Sequence, residues 1–335
     1  LGSDFDLAEE VEQLRAALQR EQRAHRKAKL KSDAIVDAVY RAARDAQTAQ
    51  GPAKLPKTER DQRRRPGEVA LIHATDWQLG KQTADYSIEA CEKRIMRFAD
   101  KVHTLTHIQR ADHPVKHAHI MFGGDMVEGV GIFPGQAYEV EAHLFEQLFA
   151  CTRLMEQFTL AMLEGFETVT VTCEYGNHGR LGRKGDMPGG DNIDRMAYKI
   201  VGDRFESTDR VTWHTSGNWY QIVQIGNYSA LLIHGDEVKM FGGNFPGYGL
   251  MRKCNAWATG VIPEPFTDVY VGHFHTPMTL TMANGHQIYV TGSPESENVY
   301  AKEFMAATGH PSQRLHYVDP DAGRVTASYI VWVDT

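Results

Sequence analysis

Five short runs of this chain carry side chains able to hold a divalent cation. In order they are Asp76-Trp77-Gln78-Leu79-Gly80, Gly123-Gly124-Asp125-Met126-Val127-Glu128, Gly176-Asn177-His178-Gly179-Arg180, His234-Gly235-Asp236 and Gly272-His273-Phe274-His275. Singly, each is a weak signal. A lone buried histidine is usually a core residue, and His73, His103, His107, His117, His119 and His286 are read that way. The Gly-His-Phe-His run says more, because two histidines two apart beyond a strand point into one loop. Taken together, the five runs specify a chemistry. A phosphodiester repels hydroxide until positive charge sits on its oxygens. Two cations about 3.5–4 Å apart supply that charge and generate the nucleophile from a bridging water. Such a pair needs a bridging carboxylate, and Asp125 is the candidate. Mixed oxygen and imidazole donors suit Mn, Fe or Zn better than Mg, and Mn is the expected ion.

The elements that must position these residues alternate between β-rich runs and amphipathic helical segments. Strands are expected near 69–75, 117–122 and 168–173, with helices near 88–110, 138–164 and 192–204. A β-rich stretch follows, with strands near 210–214, 219–225, 229–233, 268–272, 277–282, 286–290, 313–318 and 324–332, and one helical interruption near 248–258. Strand–helix alternation followed by β-rich chain predicts an α/β protein, a four-layer α/β/β/α sandwich of two packed sheets with helices outside. Each of the five runs sits just after an expected strand, and loops at the carboxyl ends of strands line the ligand crevice in such sheets.

Residues 1–47 read as a helical arm. Leu7, Val11, Leu14 and Leu18 step by four and three, and Ile35, Val39 and Ala42 resume the phase. A weak coiled coil that makes a homo-oligomer, a solvated helix with its stripe on the main domain, and a frayed arm are the alternatives. Residues 48–67, with Pro52, Pro56, Pro66 and the basic run Arg60 to Arg65, read as a flexible linker, leaving 68–335 as the main domain. The net charge of −7 is uneven. Residues 1–68 hold 15 Lys and Arg against 12 Asp and Glu, a net of +3, and the remainder holds 21 against 31, a net of −10. An acidic domain is a poor non-specific glove for nucleic acid; it suits carboxylates gathered around cations. No apolar run approaches the roughly 18 residues of a membrane span. The four cysteines form no paired spacing, so they are read as reduced core residues of a cytoplasmic protein.

Over residues 69–300 the motifs resemble those of the calcineurin-like metallophosphoesterases: Asp-x-His, Gly-Asp-x-x-(Asp/Glu), Gly-Asn-His-(Asp/Glu), a histidine after a strand, and Gly-His-x-His. The first block, Thr75 to Lys81, is most similar to that of SbcD-type DNA-repair nucleases, and Gly292 to Asp334 resembles phosphoesterases encoded by bacteriophages. The resemblance implies that Asp76, Gln78 and His275 bind a first metal and that Asp125 bridges. Asn177, His234 and His273 would complete the second. His178 would meet the phosphate and protonate the leaving oxygen, Arg180 would add a phosphate contact, and Glu128 and Asp236 would orient ligand histidines. It also implies a nuclease acting on DNA. A phosphatase or cyclic-nucleotide phosphodiesterase, and a non-catalytic binding module that keeps the fold, are the alternatives. Two departures stand out: Gln78 occupies a position where the family has a ligand histidine, and Gly179 replaces the acid that steers the catalytic histidine. His178 therefore needs another partner.

Overall fold

The computed structural model describes residues 3–58, 61–63, 67–133, 135–182, 184–185, 188–239, 245–295 and 310–334. The chain divides into two compact units, Leu1–Gly51 and Pro52–Thr335. The first is a single helix, α1 (Ser3–Gln50), which leaves Leu18, Leu30 and Ile35 exposed. The side chains of Leu7, Val11 and Leu14 lie outside the described residues.

In the second unit the expected linker is laid against the domain. Arg210 donates to the Pro56 carbonyl oxygen at 2.6 Å, and Glu167 accepts from the Asp61 amide at 2.9 Å. Arg63 donates to Asp61 and to the carbonyl oxygens of Arg110 and His113. Its guanidinium is thus spent on the Asp61 carboxylate and on main-chain acceptors. Arg60, Arg64 and Arg65 lie outside the described residues.

The domain then runs β1 (Glu68–Ala74), α2 (Ile88–Gln109), β2 (Val115–Phe122), α3 (Leu144–Gly165), β3 (Thr168–Cys173), α4 (Ile193–Phe205), β4 (Val211–Thr215), β5 (Gln221–Ile225) and β6 (Tyr228–Ile233). It continues through α5 (Gly247–Ala256), β7 (Asp268–Val271), β8 (Met278–Thr281), β9 (Gln287–Val290), β10 (Ser312–Asp319) and β11 (Arg324–Trp332). Among the described residues, six strands form one sheet in the order β11-β10-β1-β2-β3-β4, and five form another in the order β5-β6-β7-β9-β8. β1 to β4 are parallel, as are β6, β7 and β9.

The period-two alternation of β6 explains the layers. Ala230 and Leu232 face the first sheet in a cluster with Leu71, Met121, Tyr270 and Val318. Leu231 and Ile233 face the other way, onto Leu250, Cys254 and Trp257 of the α5 region. On the far side of the first sheet, Phe122 of β2 meets Trp77, Phe158 of α3 and Tyr198 of α4, and Phe98 of α2 stacks on Phe158 at 5.7 Å. Helices thus cover both outer faces, giving an α/β/β/α sandwich. One expected boundary moved: α3 begins at Leu144 rather than near 138. Residues Gln136–Tyr138 form a separate 3₁₀ turn, and His143 with Glu146 closes a capping box at the true start.

The four cysteines are free and buried. His73 and His119 are buried as read from sequence, but His107 is exposed. It lies in the last turn of α2, where a positive charge suits the helix dipole. Burial pushes the His119 pKa down from 6.5 to about 3, and the ring shares a hydrogen bond with Thr172. As the pH falls below 6.5, the unfolded chain takes a proton that the folded site refuses. Stability contributed by the neutral ring is therefore lost between pH 6.5 and 3, at up to about 1.4 kcal/mol per pH unit. A His119→Gln protein should show a shallower loss of denaturation midpoint between pH 7 and 5 than wild type. Equal slopes would refute the assignment.

Candidate metal centre

Parallel pairing places the ends of β1, β2, β3, β6, β7 and β9 on one side of the molecule, and each hands over to a loop bearing polar side chains. The backbone marks these loops. Among the described residues, five non-glycine positions have positive φ: Asp76 (54°), Gln78 (40°), Asp125 (50°), His273 (63°) and His275 (54°). All five are sequence-predicted ligands. Left-handed backbone at non-glycine residues costs energy and persists where surrounding structure over-determines it.

The half of the site around Asp125 has a donor set that fits a cation. Asp125 Oδ2 is buried and takes no hydrogen bond, and it stands 3.0 Å from His234 Nε2. His234 Nδ1 lies 2.9 Å from the Gly123 carbonyl oxygen, which only accepts. Nδ1 therefore carries a proton, and Nε2 is the nitrogen that faces Asp125 and would bind a cation. Asn177 Oδ1 is 3.2 Å from the same nitrogen. A carboxylate oxygen, an amide oxygen and an imidazole nitrogen thus converge. The ligand atoms of Asp125, His234 and His273 all lie within 4.8 Å of one another. Burial alone would lower the His234 pKa, but the Asp125 carboxylate outweighs it and holds the value well above normal. A positive charge is wanted there. His273, dominated by burial and then by the neighbouring His234, falls to about 4 and stays neutral, as a ligand must.

The other half holds Asp76 and His275. The Asp76 carboxylate accepts the His273 amide through both oxygens at 2.9 Å, and Asp76 Oδ1 is 3.4 Å from His275 Nε2. Gln78 Nε2 lies 3.3 Å from His275 Nε2 and 3.5 Å from His178 Nε2, so its amide joins the two halves.

His178 finds the partner that Gly179 does not supply. Its Nδ1 donates to the Glu128 carbonyl oxygen at 2.9 Å and lies 3.2 Å from the Glu128 carboxylate. An acid at 179 has no room, since a Cβ there would stand 2.3 Å from Asn192 Oδ1. Glu128 therefore orients His178, not one of the histidines expected as ligands. Asp236 departs from expectation. It holds Arg180 and Lys184, not a ligand histidine, and Arg180 is answered by a carboxylate rather than left free for phosphate. The ring orientations of His234 and His275 are set instead by Gly123 and by Glu295, whose Oε2 lies 3.3 Å from His275 Nδ1.

Three residues whose roles the sequence does not reveal complete the site. Glu295 follows β9 as the candidate ligands follow their strands, so its place in the order was the available signal. Lys81 ends the first block and pairs with Glu295 at 2.8 Å. Asp194, in the first turn of α4, accepts the amides of Met126 at 3.1 Å and Gly176 at 3.0 Å. That clamp ties the loop carrying Asp125 to the loop carrying Asn177. The clamp is tight: a Cβ at Gly176 would fall 2.1 Å from Asp125 Oδ1.

No family model and no curated protein matches the chain. Solved structures that it resembles include Vps29 complexed with zinc from Entamoeba histolytica, 12% identical over 79% of this chain and 99% of that one, with a TM-score of 0.36. A 5'-nucleotidase from Candida albicans is 10% identical over 85% of this chain but only 54% of its own, with a TM-score of 0.37. A metallophosphoesterase from Sphaerobacter thermophilus is 14% identical over 79% and 89%, with a TM-score of 0.27. Likenesses this distant carry no inference about activity.

Proposed function

We propose that the chain is a metal-dependent phosphoester hydrolase whose substrate is the phosphodiester backbone of DNA. The observation that carries the hydrolase reading is the meeting of acceptor atoms from Asp125, Asn177, His234 and His273, with His178 held beside them by Glu128. Bound divalent cations would offset phosphate charge and acidify an attacking water. The chain's own residues do the rest. His178 keeps one proton on Nδ1 for Glu128, so the proton it can give sits on Nε2, which faces Asp125 Oδ2 at 3.9 Å. Burial disfavours the imidazolium, but Asp125 and Glu128 override it and raise the pKa to about 9. The acid form is present at neutral pH, as a group that protonates a leaving alkoxide requires.

The DNA part rests on different ground. Trp77, in the nuclease-like block, is wholly buried against Phe122 and Phe158 and offers no surface to a substrate. Support comes instead from Phe133, 39% exposed, whose ring stands edge-on to His178 at 6.3 Å. An open aromatic face beside the leaving-group acid is a platform for a base, and such stacking contributes about 1–3 kcal/mol per base. Phe133→Ala should raise KM for a single-stranded oligonucleotide by that amount and leave kcat nearly unchanged. An unaltered KM would remove the platform.

The decisive assay supplies Mn and compares single-stranded DNA, duplex DNA, cyclic nucleotides and p-nitrophenyl phosphate. Cleavage of DNA is the expected result. Hydrolysis confined to the small esters would overturn the DNA substrate and keep the hydrolase; no hydrolysis of any of them would overturn both.

A further inference from the structure

The two halves of the centre are unequal, and the difference lies in a buried ion pair. Lys81 is 7% exposed and Glu295 2%, with Nζ and Oε1 at 2.8 Å. Lys81 Nζ also donates to Gln78 Oε1 at 3.3 Å. That oxygen is the only atom of the Gln78 side chain able to bind a cation. In this orientation Oε1 meets the Lys81 ammonium; turning the amide over would set an NH₂ group against it. With Oε1 held by Lys81, the NH₂ end faces His275 Nε2 and His178 Nε2. An N–H donor does not ligate a metal, and an ammonium repels a cation sharing its acceptor. Glu295 meanwhile spends one oxygen on Lys81 and turns the other to His275 Nδ1.

Granting the metal-dependent reading above, we infer that this chain holds one divalent ion tightly, at Asp125, Asn177, His234 and His273. Lys81, fixed by Glu295, stands in for the charge of a second ion in the half formed by Asp76, Gln78 and His275. Lys81 is a positioning residue: it holds Gln78 so that its NH₂ group is offered as a hydrogen-bond donor where a phosphate oxygen would otherwise meet a cation. The positive charge is retained, and its source is the chain.

The test counts ions rather than turnover. Full-length protein is dialysed to equilibrium against graded Mn, and bound metal per chain is measured. Wild type should show about one tight ion, lost in His234→Ala and kept in Asp76→Ala. A triple variant, Gln78→His with Lys81→Met and Glu295→Gln, should bind a second ion at least about 10–100-fold more tightly than wild type, the scale on which neighbouring groups tune metal affinity. Removing both partners of the ion pair avoids leaving one charge buried alone, and a thermal melt confirms that the variant folds. Should the triple variant fail to fold, Gln78→His alone carries the same comparison. Two ions of comparable affinity in wild type would overturn the inference while leaving the metal-dependent reading intact. So would a single ion that survives His234→Ala but not Asp76→Ala, and so would a second-ion affinity unchanged in the variants. No bound ion in any of the proteins would overturn that reading and this inference together.

Discussion

An Asp125→Asn protein is expected to lose its divalent metal and, with it, hydrolysis. The substitution keeps an oxygen for the His178 amide, which Asp125 Oδ1 accepts at 2.7 Å, so the loops need not move. What disappears is the negative charge that His234 Nε2 faces at 3.0 Å. Removing a group that merely orients a ligand weakens metal affinity by about 10–100-fold. Removing a central charged ligand should exceed that, leaving Mn undetectable after dialysis and hydrolysis at background. Elemental analysis alongside rate measurement checks it. Full Mn content in the Asn protein would mean that Asp125 is not a ligand.

His178→Ala should separate the two effects. The ring is not among the converging acceptors, because its Nδ1 is committed to Glu128, so bound Mn should be unchanged. Turnover should fall by about 10²–10⁴, the usual contribution of a positioned acid. In wild type the rate should decline as the pH rises through the His178 pKa, near 9 while Asp125 keeps its full charge, since the acid form is the one required. That limb should be absent from the variant. Loss of Mn together with activity would make His178 a ligand, and unchanged turnover would favour a non-catalytic module.

The residues that converge were legible because their types are rare in combination and their loops follow strands whose apolar runs are plain. β1, β2, β3, β6 and β7 lie within a few residues of where hydrophobic patterning puts them, and parallel pairing does the rest. What patterning does not encode is which charged side chain answers which across loops far apart in sequence. Nothing in the patterning links Lys81 to Glu295 until β9 is seen to lie beside β7. The resemblance has Asp236 orienting a ligand histidine and Arg180 contacting phosphate; in space they neutralise each other. Gly179 was legible as a missing acid, but its replacement, Glu128, depended on how the loop after β2 turns back on itself. Asp194 was invisible for a simpler reason. An aspartate in the first turn of a helix is so common there that its service to two neighbouring amides raises no flag.

The ring of His234 is steered by a peptide oxygen, and His178 is steered partly by another. Main chain has no codon of its own, so those settings are hard for mutation to erase. Among the described residues, His275 Nδ1 is steered by the Glu295 carboxylate, which a single nucleotide change can remove. Lineages of this chain should therefore keep the Asp125 half under almost any drift and vary in the half that contains Gln78.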